Sequence, residues 1–383
     1  MVPIRGKSRI PITLLASLLL SWNTSPASEQ SNPRHERLDT ALQQYARIAE
    51  TGGWPSVPAG PTIRPGSQDP RVATLASRLA ITGDLENGSR DFTEYDDELQ
   101  AAVIHFQSRH GLEQDALVGK ATLRALNVSA DERSAQIRRN LGRTLRAFDM
   151  GRQAFVLVNV PAFEIYLVRD GKTVWSSRVV VGETDAETPL FESTISSVVL
   201  NPTWTVPRSI ASEELLPKIQ EDPAFLARGS YELRNQEGSS VDPANIDWAS
   251  LSRSNFPYTL VQRAGPANEL GQVKFLFPNK FGVCMHDTPK KHLFNIASRS
   301  FSHGCIRLEN PIGLAEWLVE PAGWPREQID AQLDTGQTRS IKLAEPIPIV
   351  VAYLTAVADE AGTVYFYRDV YGIDRSSAAA SQE

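Results

Sequence analysis

Two hydrophobic periodicities divide the chain. Between residues 34 and 148, apolar positions recur at the three- and four-residue spacing of amphipathic helices. This spacing predicts a helix over 34–50, three short helices within 71–128 and a charged helix over 131–150. Glycines and prolines between 52 and 70 predict a loop after the first helix. The first part of the chain is therefore expected to be helical.

From residue 154 the pattern changes to that of strands. A buried apolar run over 155–160 and an alternating run over 163–167 predict two strands, and Asp170-Gly171-Lys172 predicts the turn that follows. A short helix is expected after Asn310. Further strands are predicted at 174–181, 195–200, 272–277, 281–286 and 347–354. This part should form a β-rich, sandwich-like domain with short helices.

A long segment, 208–265, interrupts the strand pattern. Its beginning, 212–219, has helical spacing, and the remainder is polar and contains prolines. Insertions of this length in a compact domain are usually functional. We expect a capping or lid subdomain; a peripheral excursion is the alternative.

The first residues predict export. Arg5, Lys7 and Arg9 precede an apolar run over 10–22, and Ser25-Pro26-Ala27 places small residues at a cleavage site. This is the layout of a signal peptide, and a membrane span would need about 20 apolar residues. We expect cleavage after residue 27 and a mature protein without a membrane span. An uncleaved anchor helix is the alternative.

The composition of the chain argues against several classes of protein. The 383 residues carry a formal net charge of −6, so no global basic surface points to nucleic acid. The six histidines include no H-x-x-x-H pair, and a metal cofactor is not expected. The chain contains only two cysteines, Cys284 and Cys305, which excludes a disulfide-rich scaffold.

The candidate chemistry surrounds one of these thiols. A cysteine becomes a useful nucleophile when a base or a positive charge favours its thiolate. His286 and His303 are both candidate partners of Cys305. Gly304 permits a sharp bend that could make backbone N–H groups converge as an oxyanion hole. Arg307 offers a cation suited to a carboxylate.

The spacing of these residues is more specific than any one of them. His286, followed after a gap by Ser302-His303-Gly304-Cys305 and Arg307, resembles the active-site signature of the L,D-transpeptidase (YkuD) catalytic domain. The resemblance implies an enzyme with Cys305 as nucleophile, His286 as base and no cofactor. It also implies the remaining site: the Asp287 backbone carbonyl orienting His286, the N–H groups of Gly304 and Cys305 holding the oxyanion, and Ser302, His303 and Arg307 binding substrate. Asn279 and Trp204 are further candidates for the cleft lining, with a structural role as the alternative.

Two other stretches carry resemblances. Residues 102–107, 110–112 and 118–123 resemble the peptidoglycan-binding-domain-1 family, although Asp115-Ala116 stands where that family usually has Asp-Gly. Asn201–Pro207 and Gly271–Phe275 are similar to the large, periplasmic, YcbB-like branch of L,D-transpeptidases. The expected organisation is a signal peptide (1–27), a helical scaffold segment and loop (28–70), a peptidoglycan-binding-like module (71–130), a linking helix (131–152), a catalytic domain (153–375) and a disordered tail (376–383).

The resemblance implies a periplasmic reaction on peptidoglycan stem peptides. Cys305 would attack the L,D amide of a tetrapeptide donor, release D-alanine and pass the acyl group to a diaminopimelate amine, forming a 3→3 cross-link. Water, a D-amino acid or an amine of an outer-membrane protein are alternative acceptors. A non-catalytic wall-binding scaffold and a zinc peptidase are alternatives of other classes. Carbapenems, which are β-lactams, are expected to acylate Cys305.

The second thiol leaves two interpretations open. If 281–286 is a strand, Cys284 and His286 lie on one face, and Cys284 is near the active site. Cys284 is then either a small packing residue or the partner of Cys305 in a regulatory disulfide.

Overall fold

The computed structural model describes residues 32–86, 91–148 and 151–375. These described residues form one compact unit. The expected signal peptide and C-terminal tail lie outside the described residues. Within these ranges, no helix combines the length and the apolar character needed to cross a bilayer.

Helices form the first part of the chain, as the spacing predicts. Asn32 begins the first helix by accepting hydrogen bonds from two backbone N–H groups, and Ser129 with Glu132 forms a capping box before the fifth. The five helices are α1 (Pro33–Glu50), α2 (Val72–Ile81), α3 (Asp97–Arg109), α4 (Lys120–Leu126) and α5 (Ala130–Ala147).

The helices α2, α3 and α4 enclose one apolar core, which includes Leu75, Leu79, Val103, Phe106 and Leu126. A buried ion pair lies at its edge, where the Arg109 guanidinium contacts both carboxylate oxygens of Asp84. Arg109 also donates to the Tyr45 hydroxyl of α1 and to the backbone carbonyl of Val364. One buried guanidinium therefore joins this module to α1 and to the segment around Val364.

The second part of the chain is β-rich, as predicted. Its strands are β1 (Ala154–Asn159), β2 (Glu164–Arg169), β3 (Lys172–Gly182), β4 (Phe191–Leu200), β5 (Trp204–Thr205), β6 (Tyr231–Arg234), β7 (Ser240–Val241), β8 (Thr259–Gln262), β9 (Val273–Leu276), β10 (Met285–His286), β11 (Ser300–Ser302), β12 (Ile306–Leu308), β13 (Arg339–Ala352), β14 (Ala356–Ala358) and β15 (Val364–Phe366).

Nine of these strands form the main sheet in the order β11-β3-β12-β10-β9-β4-β13-β1-β2. A further pairing of β2 with β3 closes the sheet on itself, so opposite strands face each other across one core. Most neighbours are antiparallel, but the pairs β10–β12, β1–β13 and β11–β3 are parallel. This closed sheet is the frame on which the candidate site lies.

Alternating side chains explain why the sheet has two apolar layers. Val156 and Val158 of β1 point into the main core, whereas Phe155 and Leu157 pack in a second cluster with the end of α5. The helices α6 (Arg208–Ile210), α7 (Leu216–Glu221) and α8 (Ala224–Arg228) belong to the insertion, and α9 (Pro311–Val319) and α10 (Arg326–Asp334) contribute to the main core. Asn310 caps α9, which confirms the short helix expected there.

The inserted segment has its own architecture. Its helices run from 208 to 228, and a four-stranded sheet in the order β5-β8-β6-β7 packs with them around Ile219, Leu233, Trp248, Phe256 and Leu260. The predicted helix is present. The strands were not predicted, because they are only two to four residues long, too short for alternation to be recognised.

One strand prediction is corrected. The expected strand over 281–286 is reduced to Met285–His286. The preceding residues form a turn, because the Asn279 carboxamide donates to the carbonyl of Val283 and accepts from the N–H groups of Phe281 and Val283. These local bonds satisfy backbone groups that a strand would have paired with a neighbour.

Removal of one charge from the buried ion pair should be costly. We expect Asp84→Ala to lower the free energy of unfolding by about 3–5 kcal/mol, because it leaves Arg109 charged and buried without its carboxylate. Asp330→Ala, which breaks a half-exposed pair with Arg326 on α10, is the matched control and should change it by less than about 1 kcal/mol. Urea unfolding followed by circular dichroism measures both. Equal losses in the two variants would contradict the interpretation.

Candidate active site

The two predicted catalytic residues come together through one strand pairing. His286 ends β10, and Cys305 directly precedes β12. The parallel register pairs Met285 with Ile306 and His286 with Arg307. The pairing extends towards Cys284, whose carbonyl accepts a hydrogen bond from the Ile306 N–H at 2.9 Å. This register places Cys284 and Cys305 side by side.

The two sulfur atoms lie in direct contact. Cys284 Sγ is 3.2 Å from Cys305 Sγ, and the backbone N–H of Cys284 also points to Cys305 Sγ at 3.3 Å. Both cysteines are free thiols and half-buried. Cys284 therefore offers two donors to the sulfur of Cys305.

These donors favour the thiolate of Cys305. The side-chain hydrogen bond from Cys284 is the main cause that lowers the pKa of Cys305 to about 7; burial opposes it, and the Cys284 N–H, Lys274 and Arg307 add to it. The pKa of Cys284 is raised, first by the same hydrogen bond and then by burial. Because the backbone N–H of Cys284 donates to Cys305 Sγ, the negative charge is placed on the sulfur of Cys305.

His286 is held as a neutral base. Burial and the positive charge of Arg307 lower its pKa to about 3, so the imidazole is uncharged at neutral pH. Its Nδ1 contacts the backbone carbonyl of Asp287. A carbonyl only accepts, so Nδ1 carries the proton and Nε2 has the free lone pair. A ring nitrogen of His286 lies within 4.8 Å of both sulfur atoms.

Asp287 is fixed on both sides. Its N–H donates to the Val273 carbonyl at 2.8 Å, and its carboxylate accepts from the Gln272 N–H at 2.8 Å and from Lys291 Nζ at 2.6 Å. Gly271 makes this packing possible, because a Cβ there would lie 2.3 Å from the Asp287 carboxylate. The carbonyl that orients His286 is thus held by the surrounding strands and turn.

The turn before Cys305 is also tightly bonded. Gly304 has a φ of +98°, which side chains rarely adopt. Ser302 is buried; its hydroxyl donates to the Cys305 carbonyl at 2.5 Å and accepts from the Gly304 N–H at 3.2 Å. Ser302 therefore shapes the turn from within. Of the two predicted oxyanion donors, the N–H of Gly304 already has this bond, which makes the N–H of Cys305 the better-placed donor.

A second layer, absent from the sequence-based site, supports this turn. The Thr188 hydroxyl donates to the Gly304 carbonyl at 2.9 Å and accepts from the Gly182 N–H at 2.8 Å. The Tyr371 hydroxyl donates to the Gly182 carbonyl at 2.7 Å and accepts from the Thr188 N–H at 3.2 Å. Neither residue lies near Cys305 in sequence, so no local motif could have identified them.

Arg307 has unused hydrogen-bonding capacity. It lies on β12 beside His286, and burial lowers the pKa of its guanidinium. Its Nε is buried and has no hydrogen-bond partner among the described residues. A buried donor without a partner is costly, which favours a site completed by an incoming acceptor such as a carboxylate.

The insertion reaches the site through His303. His303 Nε2 lies 2.9 Å from the carboxylate of Glu214, on the helical part of the insertion, and both side chains are half-exposed. His303 is thus bound to the insertion, and His286 is the ring next to the thiols. Residue chemistry alone left both histidines open as partners and the family resemblance implied His286, whereas the contact of His303 with Glu214 was not predicted.

The two remaining candidates are engaged in contacts of their own. The polar atoms of the Asn279 carboxamide are engaged within its own turn, which favours the structural alternative. Trp204 lies on β5, pairs with Gln262 of β8 and packs on the insertion core. It belongs to the cap and not to the strands that carry Cys305 and His286.

Among the residues that the structure describes, neither a separate metal site nor a large cavity marks the position of the candidate site. In the described part of the chain, Cys284, His286 and Cys305 are the one group of potential ligands within 4.8 Å of one another, and these are the reactive groups themselves. A cavity of about 1070 Å³ lies between the helical module and the closed sheet, away from Cys305. The reactive chemistry, and not this cavity, therefore locates the site.

A thiol beside a buried, neutral imidazole is an arrangement suited to cysteine-dependent acyl transfer. Residues 153–339 match the family model described as "L,D-transpeptidase catalytic domain" (YkuD), and residues 68–126 match "Putative peptidoglycan binding domain". The chain thus carries a YkuD L,D-transpeptidase catalytic domain preceded by a peptidoglycan-binding-domain-1 module, which confirms both resemblances.

A curated relative supports this assignment. A protein of Haemophilus influenzae named "Putative L,D-transpeptidase" is 37% identical over 220 residues, which are 57% of this chain and 44% of that protein. The chain therefore spans less than half the length of this relative.

Solved structures of low identity show a similar partial likeness. The L,D-transpeptidase from Stackebrandtia nassauensis is 15% identical, covers 76% of this chain and 97% of its own, and has a TM-score of 0.29. The one from Xylanimonas cellulosilytica is 14% identical, covers 77% and 98%, and has a TM-score of 0.24. Scores this low carry no residue correspondence.

The role of Cys284 as a donor predicts a pH shift. Alkylation of Cys305 by iodoacetamide should rise with pH around a midpoint of about 7, since only the thiolate reacts. Cys284→Ala removes the donor, so the pKa of Cys305 should rise and alkylation at pH 7 should slow. Cys284→Ser keeps a hydroxyl donor and should shift the midpoint less. Peptide mapping of the Cys305 adduct measures the rate; an unchanged midpoint in Cys284→Ala would count against this role.

The support behind Gly304 predicts a second effect. Thr188→Val keeps the side-chain shape but leaves the Gly182 N–H and the Gly304 carbonyl without a partner, so alkylation of Cys305 and the free energy of unfolding should both fall. Thr188→Ser restores the hydroxyl and should preserve both. If the two variants behave alike, the hydroxyl does not hold the turn.

Proposed function

We propose that this protein is a peptidoglycan L,D-transpeptidase that forms 3→3 cross-links in the periplasm. The observation that carries the proposal is the arrangement of a thiol with lowered pKa beside a buried, neutral imidazole. It lies in a domain whose family acts as L,D-transpeptidases, next to a peptidoglycan-binding module. The signal peptide expected over 1–27 and the similarity to the YcbB-like branch favour export and cross-linking.

Acylation begins at Cys305. Its sulfur attacks the carbonyl of the L,D amide between the third and fourth residues of a tetrapeptide stem, forming a tetrahedral oxyanion. With a pKa of about 7, roughly half of the thiol is already ionised at neutral pH. Where Cys305 is still protonated, Nε2 of His286 takes the thiol proton and gives it to the leaving D-alanine amine; where Cys305 is already ionised, a solvent water supplies that proton. The product is a thioester on Cys305.

Oxyanion stabilisation falls to the turn around Gly304. The N–H of Cys305 is the primary donor, and the Gly304 N–H adds to it by exchanging its 3.2 Å bond with Ser302 for the oxyanion. Thr188 holds the Gly304 carbonyl on one side of the peptide that joins Gly304 to Cys305, so that the Cys305 N–H of the same peptide faces the site. The turn is thus built before the substrate arrives.

Deacylation completes the transfer. The amine of a diaminopimelate side chain from a second stem attacks the thioester carbonyl, and the neutral His286 accepts its proton. The C–S bond breaks, and the Cys305 thiolate is restored. A neutral base is suited to this step, because an imidazolium could not accept the proton.

Two elements outside the catalytic pair recognise the stems. Arg307 binds a stem carboxylate, since its buried Nε lacks a partner among the described residues and a guanidinium can bind a carboxylate with two bonds. The insertion acts as a cap that reaches the site through the contact between Glu214 and His303. The module over 71–130 keeps the catalytic domain close to the wall.

The reaction product distinguishes the proposal from its rivals. Purified protein incubated with tetrapeptide-rich sacculi should produce 3→3 dimers, detected by chromatography and mass spectrometry of released muropeptides. Cys305→Ala and His286→Gln should abolish them, whereas His292→Gln, at an exposed histidine, is the matched control and should retain them. Tripeptides without dimers would instead indicate an L,D-carboxypeptidase, and stems joined to an added outer-membrane protein would indicate anchoring.

Meropenem provides an independent check on the nucleophile. We expect a covalent adduct on the wild type at Cys305 and none on Cys305→Ala. Absence of both the adduct and any stem product would favour a non-catalytic wall-binding scaffold.

A further inference from the structure

The second thiol has no covalent part in the proposed reaction. Transpeptidation uses one nucleophile, one base and an oxyanion hole, and a hydroxyl would serve as well as a thiol to donate to Cys305. Cys284 nevertheless places a second sulfur 3.2 Å from the nucleophile. A thiol can do one thing that a hydroxyl cannot, which is to form a covalent bond with the neighbouring sulfur.

The backbone geometry suits such a bond. Cys284 and Cys305 precede paired residues of two neighbouring strands, and such strands lie about 4.8 Å apart. Disulfides join residues whose Cα atoms are about 4.4–6.8 Å apart, with sulfur atoms about 2.0 Å apart. The sulfur atoms, now 3.2 Å apart, need to approach by about 1.2 Å. The Cys284 carbonyl and the Ile306 N–H keep the two segments together during this approach.

We propose that Cys284 is a resolving thiol that converts peroxide-oxidised Cys305 into a reversible intramolecular disulfide. The inference rests on the proposed function only in taking Cys305 as the reactive thiolate; it does not depend on the acceptor.

The steps balance with hydrogen peroxide as the oxidant. The Cys305 thiolate attacks one peroxide oxygen, an S–O bond forms, the O–O bond breaks, and hydroxide leaves and is protonated to water. The Cys284 sulfur then attacks Cys305 Sγ, an S–S bond forms, and the S–O bond breaks with loss of a second water that takes up the Cys284 proton. Two thiols are oxidised by two electrons, and one peroxide is reduced to two waters.

The surroundings support this order of events. Cys305 is the sulfur with the greater thiolate fraction, so it reacts first with peroxide. The hydrogen bond and the negative charge of Cys305 are two of the causes that keep Cys284 protonated. Oxidation of Cys305 to a neutral sulfenic acid removes that charge, which frees Cys284 to ionise. The neutral His286 lies within 4.8 Å to accept its proton.

Two consequences follow for the enzyme. The disulfide removes the nucleophile, so the enzyme is inactive while oxidised. It also competes with further oxidation of Cys305 to the sulfinic and sulfonic acids, which thiol reductants do not reverse. A dithiol reductant restores both thiols. Peroxide thus switches the site off without destroying it.

The experiment exposes the full-length protein to hydrogen peroxide with a chelator present and then measures intact mass, mapped peptides and iodoacetamide labelling of Cys305. The wild type should lose the mass of two hydrogen atoms, yield a cross-linked peptide containing Cys284 and Cys305, and regain its labelling with dithiothreitol. Cys284→Ser should instead gain oxygen atoms on Cys305 and lose labelling that dithiothreitol does not restore. Cys305→Ser should leave Cys284 reduced.

Each variant is compared with its own untreated sample, and circular dichroism checks folding. If Cys284→Ser does not fold, the cross-linked peptide of the wild type decides alone. Wild-type Cys305 that gains oxygen without forming this peptide would overturn the proposal, as would a disulfide found only between two chains. Labelling does not depend on stem peptides, so a failure to form 3→3 dimers leaves this result readable.

Discussion

The candidate site depends on one interaction above all, the parallel pairing of β10 with β12. It joins segments separated by a loop and a short helical turn, and its register sets His286 beside Arg307 and Cys284 beside Cys305. The strands are only two and three residues long, so they would not pair stably alone. The closed sheet on both sides, with β3 next to β12 and β9 next to β10, supplies the stability that this short pairing lacks.

Burial and the local hydrogen-bond donors together set the protonation states of His286 and Cys305. The same low-dielectric surroundings that keep His286 uncharged would also disfavour a thiolate at Cys305, and the local donors decide the outcome. Cys305 receives the Cys284 side chain and N–H and two nearby cations, whereas His286 is buried beside the positive charge of Arg307. At neutral pH the site therefore combines a partly ionised thiol with a neutral imidazole, instead of a thiolate paired with an imidazolium.

Much of the fold could be predicted because its signals are local. The spacing of apolar residues identified α1, the three-helix module, α5 and the long strands, and the caps at Asn32, Ser129 and Asn310 lie in the sequence beside the helices they begin. The strands of the insertion and the shortened β10 were missed for the opposite reason. Short strands show no alternation, and the turn held by Asn279 uses side-chain bonds that replace the expected strand pairing.

The sequence by itself determined the candidate nucleophile, the two candidate histidines, the module order and the presence of an insertion, because each rests on residue type and spacing along the chain. Only the tertiary structure decided how the two histidines are placed, with His286 beside the thiols, as the resemblance implies, and His303 against Glu214 of the insertion. It also decided that Thr188 and Tyr371 hold the turn from behind, and that the sulfur of Cys284 lies against the sulfur of Cys305. These contacts join residues far apart in the chain, so their energies arise only when the sheet closes and brings them within hydrogen-bonding distance.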